Sequence, residues 1–178
     1  MEDLPRHLYT IPVLLEMGIA IENSAKDFYG TLSKKFREHK SLFNQLAKDE
    51  KGHSETFTYL LGRKRVREVH STEEERELAD YNIKILEDTE VVGNLRKGAE
   101  RAKEIPDLES AVEAAVNLEK DTSLFYHNLA MGLAGTERQE VYKIIRVENS
   151  HLYKVRNLTA QWETDRLSKQ QLASNRAD

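Results

Sequence analysis

The chain has 178 residues, 39% hydrophobic and 33% charged, with a net charge of -4, a pI of about 5.9 and no cysteine. That length fits one domain with a sizeable core. The acidic balance offers nucleic acid no attractive field, and the missing thiols exclude disulfides, thiolate-held metals and cysteine nucleophiles. No apolar run approaches the ~18 residues of a membrane span, and no basic start with an apolar stretch marks a signal peptide, so a cytoplasmic protein without membrane contact is expected. Three prolines and eight glycines among so much charge suit long amphipathic helices, which predicts an all-α fold.

From Ile11 to Phe36, the residues Leu15, Ile19, Ala25, Leu32 and Phe36 recur at three- and four-residue steps, with Glu22 on the same face. Pro12 suits the first turn of this helix, and Thr10 suits its cap. After the break at "REHK", Ser41 is the expected cap of a second helix. It carries Leu42, Leu46, His53, Phe57 and Leu60 on one face, with Glu50 beside His53. So short a turn makes the two helices antiparallel neighbours. The basic stretch "GRKRVREVH" (62–70) follows an apolar helical run, where cations meet the C-terminal end of the helix dipole. That reading is preferred to a docking site for an acidic partner.

Residues 62–106 read as a long crossover with helical pieces, including a capping box at Thr72 and Glu75. A third helix is predicted from Asp107 to Leu133, stopped at Gly132 or Gly135. Thr136 with Gln139 would cap a fourth, marked by Val141, Ile144, Glu148, His151, Val155, Leu158 and Trp162. The polar tail, 165–178, is expected to fray.

The two halves repeat. Displaced by 97 residues, "IAIENSAKDFYGTL" lies over "VNLEKDTSLFYHNL", matching Glu22 with Glu119, Phe28 with Phe125, Tyr29 with Tyr126 and Leu32 with Leu129. Displaced by 98, Glu50 falls on Glu148, His53 on His151 and Leu60 on Leu158. A duplicated helical hairpin therefore places a Glu on an otherwise apolar face in every helix. Four carboxylates in one core would each lose several kcal/mol of solvation and repel one another unless cations sit among them. Two divalent metal ions balance four carboxylates, and two neutral imidazoles complete the set. A Glu and a His three apart on one helix reach the same region, so Glu50 pairs with His53 and Glu148 with His151, while Glu22 and Glu119 approach from neighbouring helices. Oxygen-rich ligation of this kind suits iron or manganese better than structural zinc.

"AIENSAKDFY", "LFNQLAKDEKGHSE", "LEKDTSLFY" and "VENSH" together resemble the rubrerythrin-like branch of the ferritin-like di-iron superfamily over most of residues 11 to 160. The resemblance implies an antiparallel four-helix bundle of two duplicated hairpins, one domain over 1–178. It further implies two irons per chain, replaceable by manganese or zinc, held by Glu22, Glu50, His53, Glu119, Glu148 and His151, with Glu50 and Glu148 as bridges. The implied chemistry is reduction of hydrogen peroxide or dioxygen with electrons from a separate donor protein, in a homo-oligomer expected to be a dimer. Ferroxidase or iron-handling activity, hydroxylation of an organic substrate and a purely structural metal are the alternatives. Two departures stand out: Thr122 occupies the position of a further family Glu, and no cysteine-bearing rubredoxin domain is present.

Tyr29 and Tyr126, two turns beyond Glu22 and Glu119, could hydrogen-bond the ligands or serve as core tyrosines. Thr122 could orient a bound peroxide, but a bond back to its own helix is the preferred expectation. His39 and His127 lack a Glu partner and read as surface or structural residues, whereas Met17 and Met131 are expected in the core.

Overall fold

The computed structural model describes residues 11–67 and 97–174, with side chains described over 11–64 and 97–158. Helix α1 spans Ile11–Lys35, with Pro12 in its first turn, where a missing N–H breaks no helical bond. A 3₁₀ turn, Arg37–His39, leads into α2, Lys40–Arg67. Ser41 thus lies inside α2 rather than capping it. The 3₁₀ turn supplies an acceptor, Arg37 O, for the N–H of Lys40, the first residue of α2.

Within the expected crossover, 62–106, residues 62–67 continue α2 and the described residues resume with α3 (Gly98–Glu104), followed by α4 (Leu108–Gly132) and α5 (Gly135–Ser174). Asp107 caps α4, its carboxylate accepting from Ser110 N at 2.8 Å. This bond favours the ionised form and holds Asp107 below the usual carboxylate range. Leu133 is extended and Gly135 has φ 55°, the left-handed conformation that reverses the chain. Helix α5 begins at that glycine, so Thr136 falls in its first turn instead of before it. Residues 165–174 of the polar tail belong to this helix. Residues 136–174 contain neither Gly nor Pro, and the helix continues to Ser174. The expected Thr10 cap and the Thr72–Glu75 box lie outside the described residues, as does the side chain of Trp162.

Helices α1 and α2 form one hairpin, and α4 and α5 the other; α1 meets α4, and α2 meets α5. Helix α3 decides the direction of the second hairpin. It rests on the C-terminal half of α1, where Gly98 N donates to Ser24 Oγ at 3.0 Å and Lys35 Nζ donates to Lys103 O at 2.8 Å and to Ile105 O. A Cβ at position 98 would lie 2.0 Å from Ser24 O, so only glycine permits this approach. The chain has thereby returned to the end of the bundle where α1 finishes, and α4 runs antiparallel to α1. This is the expected ferritin-like four-helix arrangement.

The core is filled by Leu15, Phe28 and Leu32 of α1, Phe43, Leu46 and Phe57 of α2, and their counterparts on α4 and α5. Met17 is buried beside Val13 in a smaller cluster, but Met131 is 71% exposed. Leu129, Ala130 and Leu133 take the inward positions at that end of α4 and turn Met131 outward. In the basic stretch, Lys64 reaches across to Glu137 of α5 at 2.7 Å, and Arg63 lies 5.9 Å from the centroid of the Tyr59 ring. Among the described residues no helix is long and apolar enough to cross a membrane.

Candidate metal centre

Each long helix brings a buried glutamate to the middle of the bundle. Glu22 comes from α1, Glu50 from α2, Glu119 from α4 and Glu148 from α5, all at most 2% exposed. His53 and His151 follow one turn after Glu50 and Glu148, at 7% and 0% exposure. The six residues converge in two overlapping groups, Glu22–Glu50–His53–Glu148 and Glu50–Glu119–Glu148–His151, with ligand atoms of each group within 4.8 Å of one another.

Glu50 and Glu148 belong to both groups because each turns one oxygen towards either histidine. Glu50 Oε2 lies 3.2 Å from His53 Nδ1, and its Oε1 lies 3.2 Å from His151 Nδ1. Glu148 Oε1 lies 2.9 Å from His53 Nδ1, and its Oε2 lies 3.2 Å from His151 Nδ1. Glu22 and Glu119 each serve one side, with Oε2 atoms 3.6 Å from His53 Nδ1 and 3.7 Å from His151 Nδ1, respectively. The imidazole rings stack at 5.8 Å between centroids.

The tyrosines do not bond the glutamates of their own helices. Tyr29 of α1 donates to Glu119 Oε1, and Tyr126 of α4 donates to Glu22 Oε1. Two turns carry each tyrosine along its helix, and the antiparallel neighbour brings the opposite glutamate to meet it. Both outer carboxylates are therefore tied by one oxygen, leaving the other towards the histidines. Thr122 is buried, yet its Oγ1 has no hydrogen-bond partner. The expected bond back to its helix is not made.

Asp49 carries a role that the helical periodicity did not identify. Its Oδ2 lies 3.2 Å from His151 Nε2, the ring nitrogen facing away from the glutamates. The histidines' need for an acceptor on that nitrogen was readable, and the acid immediately before Glu50 in "KDEKGHSE" was the signal. What no local pattern reveals is that Asp49 serves the histidine of the other hairpin.

Four carboxylates of two oxygens each outnumber the donors that face them, which are two phenol groups and two imidazole Nδ1 atoms. Glu22 Oε2, Glu50 Oε1 and Glu148 Oε1 are buried and have only an imidazole Nδ1, itself shared among three carboxylates, to donate to them. Anionic oxygens so short of hydrogen-bond donors fit metal cations.

Without a cation the cluster must take up protons. Burial pushes Glu22 and Glu119 well above the usual carboxylate range, and for Glu22 the neighbouring Glu148 and Glu50 add to the shift. Burial would lower His53, but bonds to Glu148, Glu22 and Glu50 outweigh it and raise the imidazole to about 12. His151 is raised for the same reason, through Glu119, Glu148 and Glu50. Glu148 moves the other way: burial opposes its ionisation, yet bonds from His151 and His53 bring it down to about 2. Tyr29 and Tyr126 are pushed up, first by burial and then by the adjacent carboxylates, so their hydroxyls stay protonated as donors.

Among known proteins, the rubrerythrin family model matches residues 14–159, a span that contains all six converging residues. No curated protein and no solved structure matches the chain.

Proposed function

The chain belongs to the rubrerythrin family of ferritin-like di-iron proteins, and on that premise we propose that it binds two iron ions and reduces hydrogen peroxide, with dioxygen as the alternative oxidant. The observation that supports this reading is the sharing of Glu50 and Glu148 by two groups of potential ligands. Two metal positions would then have a common pair of bridging carboxylates, with Glu22 and His53 completing one and Glu119 and His151 the other. When bound, the iron pair supplies the two electrons that, with two protons, convert one hydrogen peroxide to two waters, and a separate donor protein restores them.

The chain's own residues prepare that chemistry. Four carboxylates balance two divalent ions, which offsets the desolvation that the metal-free cluster otherwise suffers. Tyr29 and Tyr126 hold Glu119 and Glu22 by Oε1, which orients Oε2 of each towards the histidines. His53 and His151 would hold the ions through Nδ1 and would release any proton held there, which links loading to proton release. Near-complete burial of the six side chains excludes bulk water and strengthens the electrostatics among them.

Anaerobic loading with Fe(II), followed by metal analysis and separate exposure to peroxide and dioxygen, tests this reading. Two irons per chain are expected, with faster oxidation by peroxide. Glu50→Ala and Glu148→Ala should impair loading, whereas Thr122→Ala should not. A firm stoichiometry of one iron or none would overturn the binuclear assignment. Dioxygen-dependent oxidation with release of ferric product, from a cage-sized particle in light scattering, would replace peroxide reduction with iron handling.

A further inference from the structure

We propose that Asp49 makes the two metal positions unequal, so that the position containing Glu119 and His151 binds first and more tightly than the position containing Glu22 and His53. The inference rests on the binuclear reading above and adds an order of filling to it.

Asp49 is held as a fixed acceptor. Its Oδ1 accepts from Gln45 Nε2 at 2.7 Å, one turn back on α2, and Lys154 Nζ of α5 lies 4.0 Å from its Oδ2. The same Oδ2 is 3.2 Å from His151 Nε2. A proton on Nε2 donates to this carboxylate, which selects the tautomer whose Nδ1 lone pair faces Glu50, Glu119 and Glu148. His151 is also fully buried. Its ring therefore meets a metal in a single orientation, and the negative charge behind it raises its basicity as a ligand.

The duplication makes the contrast internal. The displacement of 98 that places Glu50 on Glu148 places Asp49 on Val147, a residue with no acceptor to offer His53. Among the described residues, every polar contact of His53 is made by Nδ1, towards Glu22, Glu50 and Glu148. Its ring is also less buried than that of His151, at 7% against 0% exposure. Glu50 and Glu148 are common to both positions, and Glu22 and Glu119 are each tied by one tyrosine. Besides this difference in burial and Thr122 in place of Ala25, the carboxylate behind the histidine is what sets the two ligand sets apart.

Removing an acceptor from behind a metal-ligating histidine typically costs about 10–100-fold in affinity. Chelator-treated protein titrated anaerobically with Co(II), followed by calorimetry and visible absorption, should show two steps whose Kd values differ by about tenfold or more. Asp49→Val should weaken the first step by about 10–100-fold and draw the steps together. Asp49→Asn, whose amide oxygen can still accept from Nε2, should fall between. Val147→Asp, at a half-buried position, should tighten the second step by giving His53 the missing acceptor. In the Co(II)-loaded protein, proton NMR should show one slowly exchanging, strongly shifted imidazole N–H, lost in Asp49→Val.

Two indistinguishable steps in the unaltered protein would overturn the inequality while leaving the binuclear reading intact. So would an unchanged gap and an unchanged N–H signal in Asp49→Val. Should that variant fail to fold, the Asp49→Asn and Val147→Asp titrations decide by the same criteria. Binding of a single Co(II), or none, would overturn the binuclear reading and this inference together.

Discussion

Thr122, Tyr29 and Tyr126 all bury a hydroxyl in the middle of the bundle, but the energetic consequences differ. Each tyrosine satisfies an oxygen of an outer carboxylate, whereas Thr122 Oγ1 has no partner. An unsatisfied buried polar group costs about 1–3 kcal/mol, and replacing it with an apolar group of the same shape removes that cost. Thr122→Val is therefore expected to stabilise the metal-free protein by about 1 kcal/mol. Tyr29→Phe should destabilise it by about 1–3 kcal/mol, since it strands Glu119 Oε1. Denaturant midpoints measure both. A clear loss of stability in Thr122→Val would show that its hydroxyl is satisfied in solution.

At the scale of the element, short helix α3 matters beyond its length. It delivers the chain to the start of α4 at the right end of the bundle, and it can do so because Gly98 has no Cβ. In Gly98→Ala the new methyl group would sit 2.0 Å from Ser24 O, so α3 must move off α1 and strain or lose the Gly98 N–Ser24 Oγ bond. Overpacking of this kind costs about 1–3 kcal/mol. The expected readout is a lowered denaturant midpoint with faster hydrogen exchange confined to α3 and the facing turns of α1. An unchanged midpoint and exchange pattern would mean that the approach is looser than this packing requires. Helix α5 illustrates the opposite condition: with no Gly or Pro after Gly135 until Ser174, nothing in the backbone stops it, and a polar surface is no terminator by itself.

For the whole molecule, the central charge cluster ties stability to pH and metal together. In metal-free protein the raised groups, Glu22, Glu119, His53 and His151, favour the folded state when protonated. The His53 contribution is complete below its ordinary value of 6.5 and is lost as pH rises towards about 12. Glu148, lowered to about 2, acts in the opposite sense, and its contribution is lost as pH falls from 4.5 towards that value. Glu22 and Glu119, raised from an ordinary value of 4.5, lose their contribution as pH rises above it, so metal-free protein should be most stable near pH 4.5 and its denaturant midpoint should fall from about pH 5 to pH 9. Metal loading should reverse that slope, because protons compete with metal for Nδ1 and for the carboxylates at the acid end. Superimposable pH profiles for the two forms would contradict a metal site shared by these carboxylates.

Periodicity, the internal repeat and the balance of charge are properties of short stretches, and they carried the all-α fold, the duplicated hairpin and the six residues that converge at its centre. A helix presents positions three and four apart on one face whatever it packs against, so Glu50 with His53 and Glu148 with His151 could be read without knowing the neighbours. Relations between helices depend on their direction and offset, which no single stretch contains. Antiparallel packing of α1 and α4 decided that each tyrosine bonds the other hairpin's glutamate, and that of α2 and α5 placed Asp49 behind His151. It also decided that Thr122 lacks a partner and that Met131 faces outward, because a side chain's surroundings are set by whichever elements close around it.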